Sequence, residues 1–341
     1  MRLKEQIGTA SLLVLIVIGS GALHLPPATQ AEEQTSTSNA CQMTTVDRQW
    51  IEGALSDWRF AEVHELKLVP TQLPVIVLFD DHCQYQSTVA SKGEISWKGS
   101  PYKSAVLLPN GSQIPNGVVS FAAPVNDTSA VGFFVMSLPS VWRSHNIQSG
   151  LGLERLMDVV LVHEISHTRQ FYFANPMMDA LSARYHLGDD LGDDSIQDTF
   201  SKDPAYVKAY ESERDLLYRA AVAPTDDKAR RYARQALREM CHRRKTWFTG
   251  SHVYWNTVDD VFLIMEGIGQ WTAYAWLTDP NGPNLKSQFA LSEVRRKRNH
   301  WTQDEGLALM LAIDRLLPGW QKLAFAPKPH LAEFLLERAA R

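Results

Sequence analysis

The chain has few cysteines, and beyond its first thirty residues it has no long apolar run. Its 341 residues contain three cysteines, Cys41, Cys83 and Cys241, and none belongs to a Cys-x-x-Cys pair. This scarcity excludes a disulfide-rich scaffold. In an oxidising compartment Cys41 and Cys83 could form a bridge, although the sequence alone does not decide the pairing. No segment after the N-terminal one has the length and apolarity of a membrane span.

The chain also lacks an excess of positive charge. Its formal net charge is -4, so neither nucleic acid nor an anionic membrane surface is expected as a partner. Basic residues cluster at 243–245 and 295–298, in segments of helical character with acidic residues nearby. These clusters are expected to form solvated helix faces.

Three common catalytic motifs are missing from the sequence. It contains no Gly-x-Ser-x-Gly elbow, no phosphate-binding Walker loop and no Gly-x-Gly-x-x-Gly fingerprint. Their absence argues against a serine hydrolase, a P-loop NTPase and a dinucleotide-dependent enzyme.

The first 31 residues have the pattern of a secretory signal peptide. Arg2 and Lys4 precede an apolar run at 12–18, and small residues lead to Ala31. This pattern predicts a secreted or periplasmic protein, the alternative being an uncleaved N-terminal membrane anchor. Residues 32–41 are polar and rich in Ser and Thr, which predicts a disordered lead-in.

In the remaining chain the sequence pattern changes from strand-like to helical near residue 150. The predicted fold class is α+β. Residues 42–150 are expected to form a β-rich subdomain, with a helix at 47–60 and a small, mostly antiparallel sheet. Its strands are predicted at 74–79, 105–108, 118–121 and 131–136, with Asn-Gly and Lys-Gly turns between them. Residues 151–341 are expected to form an α-helical subdomain. Its helices are predicted at 154–173, 204–223, 226–245, 258–277, 293–298, 303–317 and 330–340.

The motif that carries chemistry is His-Glu-x-x-His on an apolar helix. His163 and His167 are four residues apart, so they lie on one helical face and their imidazoles can share a metal ion. Glu164 is placed to take a proton from the water that the metal activates. The apolar residues before His163 predict a buried helix, where such polar side chains are costly unless a metal satisfies them.

This motif on an apolar helix, with a sheet before it, resembles the zincin superfamily of metallopeptidases. The metzincin branch has Gly and His three and six residues after the second ligand, where this chain has Gln170 and Phe173. The chain therefore resembles the gluzincin branch, in which a glutamate on a later helix is the third zinc ligand. That resemblance implies a zincin-like fold and Zn²⁺ as cofactor.

Glu266 is the strongest candidate for the third ligand. The segment Glu266-Gly267-Ile268-Gly269-Gln270-Trp271 resembles the "EGLAxY" segment of several bacterial gluzincin-like families. Glu266 is also a lone carboxylate among apolar residues, which needs a partner such as a cation. The two glycines predict close approach of another backbone, and Gln270 is placed to hydrogen-bond a ligand. Glu211 and Glu213, in a more charged helix, are the competing candidates.

These observations predict an exported zinc metallohydrolase that acts on a peptide or protein substrate, with Glu164 as general base. Two alternatives stay open: an inactive zincin-fold binding or structural protein of the cell envelope, and a zinc amidase acting on a non-peptide or cell-wall substrate. The strand at 131–136 is hypothesised to hold an extended substrate as an added strand. Four side chains are candidates for stabilising an oxyanion: His242, His252, Tyr254 and Tyr274.

Overall fold

A computed structural model describes residues 41–89, 95–126, 130–187, 191–297 and 299–341. The predicted signal peptide and all of the lead-in except Cys41 lie outside these residues. The described chain has the α+β architecture predicted from the sequence, with a β-rich part followed by a helical part.

The β-rich part contains a sheet of five strands in the order β3-β2-β1-β7-β6 and a separate β4-β5 hairpin. The strands are β1 (Val75–Phe79), β2 (Cys83–Val89), β3 (Ile95–Pro101), β4 (Ala105–Leu107), β5 (Gln113–Pro115), β6 (Ser120–Pro124) and β7 (Gly132–Ser137). The sheet is mixed, because β1 and β7 are parallel whereas its other neighbouring strands are antiparallel.

Alternate side chains of the central strands enter two separate apolar clusters. Ile76 and Phe134 face the large cluster formed with the helices, whereas Val77 and Phe133 face a smaller cluster under the β4-β5 hairpin. Strand β7 is hydrogen-bonded on both sides, to β1 and to β6. The hypothesis that residues 131–136 add a substrate strand is therefore wrong, since β7 has no free edge.

The helices, apart from a π-helical extension and a short 3₁₀ turn, are numbered in chain order. They are α1 (Thr45–Phe60), α2 (Pro139–Ser144), α3 (Leu153–His167), α4 (Phe171–Tyr185), α5 (Ser195–Phe200), α6 (Pro204–Ala221), α7 (Asp226–Trp247), α8 (Trp255–Thr278), α9 (Ser287–Val294), α10 (Trp301–Leu316), α11 (Gln321–Ala324) and α12 (Ala332–Ala340). Among the described residues, no helix combines the length and the apolarity needed to cross a membrane.

The predicted helix at 154–173 is two helices. Helix α3 ends at His167, and α4 begins at Phe171 and continues through Pro176. The hydroxyls of Ser166 and Thr168 donate to the carbonyls of His163 and Ile165, at 2.6 and 2.7 Å. These side-chain bonds compete with the backbone bonds that would extend the helix.

Other local predictions also differ from the structure. The helix predicted at 293–298 is α9, which lies earlier in the chain and ends at Val294. Strands β2 and β3 were missed because both carry many polar residues and show no clear apolar run. They pair with each other along their whole length.

The basic clusters are solvated only in part, since Lys245 and Lys297 are exposed whereas the described arginines beside them are buried or half-buried. Arg243 and Arg244 are buried, and each forms an ion pair with Asp259, at 3.1 and 2.9 Å. Arg295 forms an ion pair with Asp304 at 3.0 Å. Charge patterning predicted exposure because the carboxylate partners lie on other helices, Asp259 on α8 and Asp304 on α10.

A disulfide joins Cys41 to Cys83. It ties the segment before α1 to the first residue of β2, while Cys241 is exposed and free. The first described residue is thus held against the sheet.

Asp158 is a half-buried carboxylate on the first half of α3. It accepts a hydrogen bond from the indole Nε1 of Trp50 at 3.0 Å. Burial, followed by the negative charge of Asp57, raises the pKa of Asp158 to about 7. The folded protein therefore binds a proton here that the unfolded chain releases near pH 4.

We predict that Asp158→Asn stabilises the protein at pH 8. The wild type loses stability as the pH rises from about 4 to about 7, because the folded carboxyl is the harder one to ionise. One pKa unit corresponds to about 1.4 kcal/mol, so a gain of at least about 1 kcal/mol is expected. Urea unfolding at pH 4 and pH 8 measures it, with exposed Asp227→Asn as control. An equal effect of Asp158→Asn at both pH values would contradict this assignment.

Candidate metal centre

Helix α3 places His163, Glu164 and His167 in the interior. The helix packs against α8 and against the edge strand β6, and its residues from Val159 to His167 are all buried. The apolar residues 159–162 drive this burial. The three polar side chains are thereby withdrawn from water. Each needs a hydrogen-bond or metal partner to offset the free energy that its burial costs.

Glu266 of α8 faces both histidines. Its Oε2 lies 3.2 Å from His163 Nε2, and its Oε1 lies 3.4 Å from His167 Nε2. The two Nε2 atoms are 3.1 Å apart. Neither carboxylate oxygen of Glu266 accepts a well-formed hydrogen bond, although the residue is fully buried; the side-chain amide of Gln303 also acts on it.

These separations fit a tetrahedral metal ion. Zinc binds imidazole nitrogen and carboxylate oxygen at about 2.0–2.2 Å, which places neighbouring ligand atoms of a tetrahedron about 3.3–3.5 Å apart. The observed separations of 3.1, 3.2 and 3.4 Å are close to that range. A cation would also satisfy the oxygens of Glu266, so the residues present fit zinc.

Gln170 sets the tautomer of His167. Its Nε2 donates to the carbonyl of Met265 at 3.3 Å, which leaves Oε1 facing His167 Nδ1 at 2.8 Å. Because Oε1 can only accept, Nδ1 carries the proton and Nε2 keeps its lone pair for the shared centre. Gln170 also links the end of α3 to α8, next to Glu266.

The glycines around Glu266 permit close packing. A Cβ on Gly267 would lie 2.6 Å from the carbonyl oxygen of Gly306 in α10, as predicted for a close backbone approach. A Cβ on Gly269 would instead lie 2.8 Å from His163 Nδ1. The glycine at 269 therefore makes room for an imidazole ring rather than for a backbone.

Burial keeps the histidines neutral. Burial, and then the positive charge of Arg296, lower the pKa of His163 to about 3. The pKa of His167 is also lowered, mainly by burial. Both imidazoles are thus deprotonated at neutral pH, as metal ligands must be.

Neighbouring charges shift the pKa of Glu164 in opposite directions. Burial and then the charges of Glu266 and Asp193 raise its pKa well above the usual value, whereas Arg296 lowers it. A cation held by the neighbouring ligands would also lower this pKa. Glu164 then becomes a carboxylate able to accept a proton.

A small cavity borders this cluster. It is lined by Val159, Val160, His163, Glu164, Gln270, Arg296 and Gln303, and it has room for about one water molecule. Gln270 donates to Gln303 at 2.8 Å, so its observed partner is this side chain and not a metal-ligand candidate.

Arg296 and Gln303 are cavity residues that sequence reasoning missed. None of His242, His252, Tyr254 and Tyr274 lines the cavity. Arg296 was assigned to a basic helix face, and no local pattern places residues 296 and 303 beside a helix that ends at 167. Their role follows from the tertiary arrangement alone.

The competing glutamates lie elsewhere. Glu213 is fully buried and accepts a hydrogen bond from Arg243 at 2.7 Å. Glu211 lies on the same helix, α6. Neither belongs to the two groups of potential metal ligands found among the described residues, which are His163, His167, Glu266 and Asp193, Asp194, His300.

Comparison with known proteins gives no relative. No protein-family model, curated protein or solved structure matches the chain.

We predict that His163→Ala and Glu266→Gln each bind one zinc ion fewer than the wild type. Removal of one ligand leaves two protein donors, fewer than the three that a catalytic zinc site uses. Mass spectrometry of metal content after zinc reconstitution measures this, with Glu211→Gln as the matched carboxylate control. Full zinc retention in Glu266→Gln, with loss in Glu211→Gln, would move the third ligand to α6.

We also predict that Gln170→Ala weakens zinc binding by about 10–100-fold, since His167 loses the acceptor that orients it. Competition with a chromophoric chelator measures the affinity. Gln321→Ala is the control, because Gln321 also donates to a backbone carbonyl, that of Glu65 at 3.0 Å. Equal affinities in Gln170→Ala and the wild type would show that the tautomer is set without this bond.

Proposed function

We propose that the protein is an exported zinc-dependent hydrolase that cleaves an amide bond, with a peptide as the substrate class. The observation that carries the proposal is the buried trio of side chains His163, His167 and Glu266, in which the two Nε2 atoms lie 3.1 Å apart and each lies 3.2–3.4 Å from one carboxylate oxygen of Glu266. Glu164, next in sequence to His163, supplies a base beside them.

Zinc at this position would lower the pKa of a water molecule and polarise a substrate carbonyl. Glu164 would accept the proton of that water and later give it to the leaving amine. Arg296 lines the same cavity and acts electrostatically on Glu164. Its positive charge favours the ionised base and is available to a developing negative charge on the substrate.

The sheet edge beside α3 is β6, whose one partner strand among the described residues is β7 and whose five residues are buried in this conformation. An extended peptide aligned with β6 would lie next to Glu164, because the backbone of Ala122 in β6 contacts that carboxyl. The zincin-like architecture remains part of this proposal.

Export is supported by the Cys41–Cys83 disulfide, since such bonds persist in oxidising compartments. The signal peptide itself remains a prediction, because residues 1–40 lie outside the described residues.

We predict that Glu164→Gln lowers kcat for peptide hydrolysis by about 10²–10⁴-fold, as expected for loss of a general base. Zinc content should not change, since Glu164 is not among the three ligands. A mass-spectrometric peptide-library digest identifies a substrate and then gives the rates.

The control is Glu154→Gln, an exposed carboxylate on the same helix. No hydrolysis by the zinc-loaded wild type in either the peptide library or a cell-wall digest would remove the support for an enzyme. Activity confined to the cell-wall digest would replace the peptide by a non-peptide amide.

A further inference from the structure

A second group of potential metal ligands lies near the first. Asp193 and Asp194 precede α5, and His300 precedes α10, and one ligand atom from each lies within 4.8 Å of the others. His300 Nδ1 is 3.0 Å from Asp194 Oδ2. Asp194 stands at the N-cap position of α5, yet its side chain makes no capping hydrogen bond.

Asp193 is the member of this group whose environment needs an explanation. It is 4% exposed, and its Oδ2 is buried without a hydrogen-bond partner. The charged groups that act on it most strongly are Glu266 and Asp194, both acidic. A buried carboxylate among other carboxylates is costly unless a cation is present.

An ion pair between His300 and Asp194 does not remove this cost. In such a pair His300 interacts with Asp194, the more exposed of the two aspartates. The buried Oδ2 of Asp193 would still have no partner. A divalent ion held by all three side chains would neutralise the whole group and give Asp193 Oδ2 a partner.

We propose that Asp193, Asp194 and His300 bind a second divalent metal ion beside the zinc site. Two carboxylates and one imidazole form a donor set that zinc and manganese both accept, whereas calcium and magnesium favour oxygen ligands alone. This site shares no residue with the proposed zinc centre, so it rests on the proposed function only in being the second of two metal sites.

An ion at this site would also stabilise the contact between the start of α10 and the region of α5. The hydroxyl of Thr302 donates to the carbonyl of Asp193 at 2.6 Å, and the backbone N–H of Trp301 donates to Gln197 at 2.9 Å. The start of α10 is thus already bound to the region of α5. An ion at this junction would fix the connection between α9 and α10, which also carries the cavity residue Arg296.

The experiment counts metal ions bound to the full chain after chelator stripping and reconstitution with zinc alone, manganese alone, or zinc followed by manganese. Asp193→Asn and His300→Ala should each bind one ion fewer than the wild type. Asp198→Asn, an exposed aspartate of α5, is the matched control and should bind as many. The double variant His163→Ala/His167→Ala should also lose one ion and retain the one at Asp193.

The sequential arm identifies the metal. Manganese found in addition to zinc would assign manganese to the Asp193 site, and extra zinc alone would assign zinc. Asp194→Asn, a change of similar shape at a more exposed position, provides the same test if Asp193→Asn does not fold, as judged by circular dichroism.

The outcomes separate the two proposals. A wild-type count that Asp193→Asn, Asp194→Asn and His300→Ala all leave unchanged would refute the second site, whatever the double histidine variant does. A loss in these variants but not in the double histidine variant would keep this site and refute the zinc centre on which the proposed function depends.

Discussion

The negative charge of Glu266 is the constraint on which the centre of this molecule depends. The residue is fully buried on α8 and faces two imidazoles from α3, and burial raises the pKa of its carboxyl. A cation between the three side chains would resolve this. Folding and metal binding would then be linked, because the ligand set exists only when α3 packs against α8. Close packing of α8 in turn requires the glycines at 267 and 269.

The parts of the site that follow from local geometry could be predicted from the sequence. Two histidines four residues apart share a helical face wherever the helix lies, and Glu266 stood out as a lone carboxylate in an apolar segment. Gln170 illustrates what could not be predicted. Its side chain hydrogen-bonds both the ring of His167 and the carbonyl of Met265 in α8. The sequence alone does not show that α8 passes beside residue 170. Arg296, Gln303 and the Asp193 group likewise depend on contacts between distant segments, and Arg243 and Arg244 are buried because Asp259 lies across from them.

Glu164, which lines the small cavity, interacts with one carboxylate from each of the two candidate metal groups. Glu164 lies between the acidic influence of Glu266 and Asp193 and the basic influence of Arg296. The protonation state of Glu164 therefore depends on all three of these charged groups and not on any one of them. Because the cavity has room for about one water molecule, the described conformation can accommodate the small reactant of a hydrolysis, whereas a peptide needs more space than this cavity provides.

The burial of the candidate ligands would have a consequence for the choice of metal. His163 is 5% exposed, and His167 and Glu266 are fully buried, so an ion bound there could leave only when the packing between α3 and α8 opens. Such openings of a protein core are rare events. Exchange with the surroundings would then be slow, and the ion captured when the chain folds would be the ion that it keeps. The metal supply of the compartment in which folding takes place, more than the relative affinities of the finished site, would decide which metal the protein carries.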